Sequence, residues 1–145
     1  HPASTDTAFW THQMGKPRQN TWYGLAFERI CMLHIPQIKQ QLGIAQIYTE
    51  YYSWRSKLST PASQIDLLIE RADNLVNLCE IKYSQAPYSI TKEEDMRIRT
   101  RIADFVGETK IRHGVLTTLI TTFGLRPNPY SSIAQVQLTI DDLFV

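Results

Sequence analysis

At 145 residues, 43% hydrophobic and 20% charged with a formal net charge of +1, the chain suits one domain with a core of its own. That balance excludes a disordered tail or a polybasic arm, so a nucleic-acid partner would have to meet a local basic surface rather than a whole-molecule field. No apolar run approaches the length of a membrane span, and nothing at the start resembles a signal peptide. Cys31 and Cys79 lack C-x-x-C spacing, so they read as buried free thiols of a reducing, cytoplasmic compartment.

Residues 1–21 are polar and small, with Pro2, Gly15 and Pro17 and no periodicity, and read as a linker or tail from a missing N-terminal domain. Phe9 and Trp10 interrupt it and are expected to dock on this domain or its neighbour. After Thr21, a plausible cap, Tyr23, Phe27, Ile30, His34 and Ile38 recur at helical spacing, with a kink or early break at Pro36 and closure at Gly43. Glu28 lies beside that apolar stripe, and the helix alone makes it an ordinary solvated acid.

Residues 47–54 are aromatic and β-branched and predict a first strand. A second, at 64–69, carries Asp66 inside an aliphatic run; Asp73-Asn74 supplies turn chemistry to a third at 75–83, which ends in Glu80-Ile81-Lys82. Side chains two apart on a strand share a face, so Glu80 and Lys82 project together, and the tight connection makes Asp66 their neighbour. A loop at 84–90 precedes Thr91, which caps a helix carrying Ile98, Ile102, Phe105 and Val106. Glu93, Glu94 and Asp95 suit its first turn, and Lys92, Arg97 and Arg101 form a weak candidate phosphate-binding rim or a plain solvated face. Residues 114–122 and 133–140 read as the last two strands. His34 and His113 fall in apolar patterns without ligand spacing.

Carboxylates that converge beside a lysine form a hard-oxygen site for magnesium or manganese, able to polarise a phosphate and activate a water. On that reading Asp66 and Glu80 hold the metal, Glu28 completes the shell, and Lys82 positions the water or meets charge developing on the phosphate.

A helix glutamate at Glu28, an aspartate in the second strand at Asp66 and E-x-K in the third at Glu80 and Lys82, followed by helix and strand, resembles the PD-(D/E)xK nuclease superfamily. The run from Phe9 through Trp22-Tyr23-Gly24, Phe27-Glu28, Gln64-Ile65-Asp66 and Cys79-Glu80-Ile81-Lys82-Tyr83-Ser84 to Asp141-Asp142-Leu143-Phe144 is similar to the C-terminal domain of bacterial AAA-type ATPases of the archaeal-ATPase group. The resemblance implies an α/β, restriction-endonuclease-like core over residues 22–145, with a central mixed sheet flanked by helices in the order αβββαβ plus a final strand. It implies a Mg- or Mn-dependent endonuclease acting on DNA, joined to an ATPase module of the same parent chain. The alternative is an idle nuclease-fold module that binds DNA or protein. Homo-oligomerisation is left open, and no membrane is expected.

Overall fold

The computed structural model describes residues 17–144, with side chains from residue 21 onward. Phe9 and Trp10 lie outside the described residues. Two helices, α1 (Pro17–Leu33) and α2 (Ile35–Gln41), precede strands β1 (Thr49–Arg55), β2 (Gln64–Arg71) and β3 (Leu75–Lys82). Helix α3 (Lys92–Thr109), β4 (Gly114–Thr121) and β5 (Val136–Thr139) follow, with short 3-10 turns at Ser131–Ile133 and Ile140–Phe144.

The five strands form one mixed sheet in the order β1-β2-β3-β4-β5. The first three make an antiparallel meander, and β3, β4 and β5 run parallel. Parallel neighbours need a crossover, which α3 provides, so β3 lies where the two halves of the sheet meet. Its centre is buried, as a strand covered on both faces must be.

Helices cover both faces. On one, Phe27 and Cys31 of α1 with Ile35 and Ile38 of α2 pack on Leu67, Ile69, Cys79, Ile120 and Leu138. On the other, Phe105 and Ile98 of α3 pack on Leu68, Val76, Leu78 and Leu119. Tyr23 of α1 stacks on Tyr83, just past β3, with ring centroids 5.5 Å apart.

Three local differences from the sequence reading stand out. Helix α1 already includes Pro17 to Thr21, so the last residues of the tail expected over 1–21 are helical. The break expected at Pro36 falls two residues earlier, at His34, and Pro36 then sits in the first turn of α2, where its missing N–H costs nothing. The last strand starts at Val136 because Ser131–Ile133 is a 3-10 turn. Gly43, at φ +74, ends the helical segment as expected.

The β1–β2 ladder holds an irregularity that matters for the site. Tyr52 pairs with Leu68 but Trp54 pairs with Ile65, so Ser53 alone faces Asp66 and Leu67. This is a β-bulge on β2. It breaks the two-residue alternation: Ile65 and Leu68 join the cluster beneath α3, while Leu67 and Ile69 join the one beneath α1.

Candidate functional site

The polar residues gather where the start of β2 meets the end of β3. On β3, Val76 and Leu78 face α3, and the same alternation sends Glu80 and Lys82 toward that helix. Both find opposite charges there. Arg101 Nη1 lies 2.6 Å from Glu80 Oε1, and Lys82 Nζ lies 3.1 Å from Glu94 Oε2. The strand reads acid then base, and α3 reads acid then base two turns apart. Packed antiparallel to the strand, the helix therefore sets each charge against its opposite. The acidic side chains of both pairs are 6% exposed, and their partners about a quarter exposed.

Burial pushes the Glu80 carboxyl above its ordinary range; Arg101 and Lys82 work against that, while Asp66 and Glu94 add to it. Glu28 is half-buried on α1, and its carboxyl is raised first by burial, then by the Asp66 charge and by a side-chain hydrogen bond with Asp66. Asp66 itself is exposed and accepts from Gln64 Nε2 at 3.0 Å. The β2–β3 ladder ends at Leu67–Cys79, one residue short of it. At the bulge, Asp66 is within electrostatic reach of both Glu28 and Glu80.

All four residues singled out in the sequence, Glu28, Asp66, Glu80 and Lys82, thus belong to one neighbourhood. Their carboxylate oxygens are the donors a hard cation takes. Yet among the described residues no group of three or more His, Cys, Asp or Glu side chains converges closely enough to hold a metal ion.

Of the three basic residues on α3, Arg101 enters the site directly. With Arg97 it also lines a groove of about 650 Å³, whose other wall is the β1–β2 loop from Ser59 to Gln64. Lys92 is exposed and outside that groove. The sequence reading treated Glu94 as a helix-dipole acid and missed its place in the site. Its signal was present: Glu94, Ile98, Arg101 and Phe105 fall at i, i+4, i+7 and i+11, so both charges interrupt the core-facing stripe. Tyr88, whose hydroxyl donates to Glu94 Oε2 at 2.5 Å, gave no such signal from its loop.

His34 is half-buried with Nδ1 2.7 Å from the Ile30 carbonyl, a capped helix-end contact away from the site. Both cysteines are buried free thiols, and burial pushes Cys31 up to about 12.

The fold is similar to that of AF1548, a protein of unknown function known from its crystal structure. The match covers 79% of this chain and 64% of that one, with a TM-score of 0.51 and 16% sequence identity. At that identity the likeness concerns the fold alone, and this chain spans less than two thirds of AF1548's length. No family model and no curated protein matches the sequence. Among the described residues no helix is long and apolar enough to cross a membrane.

Proposed function

We propose that this chain is a restriction-endonuclease-like domain that hydrolyses DNA phosphodiester bonds with magnesium or manganese. The observation that carries the reading is the meeting of Glu80 and Lys82, side by side at the end of the central strand, with Asp66 at the β2 bulge within electrostatic reach of Glu80. Asp66 and Glu80 would hold the ion, which when bound polarises a phosphate and lowers the pKa of a water. Lys82 meets negative charge developing on the phosphate. Glu28, its carboxyl raised by burial and by the Asp66 charge, reaches the same site from α1. Arg97 and Arg101 line the groove through which a strand's phosphates reach the site. The resemblance stated above extends the proposal to an ATPase module of the same parent chain as partner.

Plasmid, linear and branched DNA incubated with the protein, with and without magnesium or manganese, test this directly. Metal-dependent cutting that disappears in Glu80→Ala and in Lys82→Ala is expected; cutting that persists in both contradicts the proposal.

One observation favours a second reading, a module that binds DNA or protein without cutting: Glu80 and Lys82 are each already matched by a charge from α3. That reading expects Asp66→Asn and Glu80→Gln to leave DNA binding and metal-dependent thermal stability unchanged, with no cleavage of any substrate.

A further inference from the structure

Glu94 is an acid in the core-facing stripe of a helix, its side chain 6% exposed. A buried carboxylate is tolerated when its oxygens are matched by donors. Oε2 has two, the Lys82 ammonium at 3.1 Å and the Tyr88 hydroxyl at 2.5 Å. At the start of α3, Thr91 Oγ1 accepts from the Glu94 N–H at 3.1 Å, so the backbone beneath the carboxylate is pinned as well.

Tyr88 is held just as firmly. Its N–H donates to the Gly124 carbonyl and its own carbonyl accepts from the Arg126 N–H, both at 2.8 Å. The Gly124 N–H in turn donates to Thr121 Oγ1 at 2.8 Å, and Thr121 is the β4 residue opposite Lys82 in the β3–β4 ladder. The frame therefore closes on itself, from Lys82 through Glu94 and Tyr88 to the end of β4 and back across the sheet. Glu80 attracts this long, flexible lysine from the same strand face, but its carboxylate is paired with Arg101, so Glu94 is the acid that bonds the ammonium directly.

We propose that Glu94 is a positioning residue for Lys82 and that Tyr88 is its brace. Together they fix the ammonium where it meets the phosphate. The effect on catalysis rests on the nuclease reading above; the effect on the ammonium does not.

The experiment therefore has two readouts. The first is the side-chain ammonium signal of Lys82 in nitrogen-15 NMR, assigned by its loss in Lys82→Arg. Slow proton exchange is expected in the wild type and fast exchange in Glu94→Ala and Tyr88→Phe. The second is kinetic: Tyr88→Phe lowers kcat about tenfold or more with KM within about twofold, and Glu94→Asp recovers part of what Glu94→Ala loses. Should Glu94→Ala fail to fold, Tyr88→Phe decides alone. A Lys82 signal indifferent to these substitutions, or a loss confined to KM, overturns the proposal. A wild type that cuts no DNA ends the nuclease reading, and the ammonium signal still decides the positioning.

Discussion

At Glu28, burial, the Asp66 charge and a side-chain hydrogen bond with Asp66 all push the carboxyl above its ordinary value of 4.5. A group raised in the folded state binds its proton more tightly there than in the unfolded chain. The stability it contributes is thus complete below pH 4.5 and is lost as pH climbs through the raised folded value. Glu28→Gln removes this titration. The melting temperature of the wild type minus that of Glu28→Gln should fall as pH rises from 4 to neutrality; a flat difference would show that burial and Asp66 together do not raise the Glu28 carboxyl. Glu80 and Lys82 were legible as a pair because the strand period alone puts them on one face. Glu94 was hidden because three consecutive acids in a first turn already satisfy the helix dipole, so no residue asked for a separate account.

Among the elements, α3 and the bulge on β2 do most to build the site. The Thr91 cap anchors the turn that carries Glu94, and Thr91→Ala should cost about 1 kcal/mol in a denaturant melt. If the proposed site depends on that turn, the same variant should also slow cleavage, whereas a cost of stability alone would mean that Glu94 is held without the cap. The helix and its cap could be read from Thr91 and the spacing of Ile98, Ile102 and Phe105. The bulge could not. Asp66 in an aliphatic run looks like a plain strand with a stray charge, and whether one residue or two oppose Ser53 depends on the partner strand, not on β2 itself.

Across the whole molecule, a sheet covered on both faces supports a site at one end of its central strand, and the two clusters beneath α1 and α3 hold the layers to it. Phe105 is fully buried and meets Trp54 edge-on at 5.4 Å, so it couples α3 to the first strand of the meander. Phe105→Ala should destabilise by about 3–5 kcal/mol, measured by chemical denaturation, and Val106→Ala, on the exposed side of the same helix, should have little effect. The helix, three strands, helix and two strands were legible in order because each carries its own period and its own punctuation. How charges from opposite layers meet was not, since it depends on the direction in which α3 recrosses β3.

The central claim is that the end of β3, with Asp66, holds a divalent ion for hydrolysis. Crystals of the protein soaked in manganese test it most directly. The account predicts an anomalous peak between Asp66 and Glu80 with Lys82 alongside; a peak elsewhere, or none at manganese concentrations that support cleavage, would contradict it.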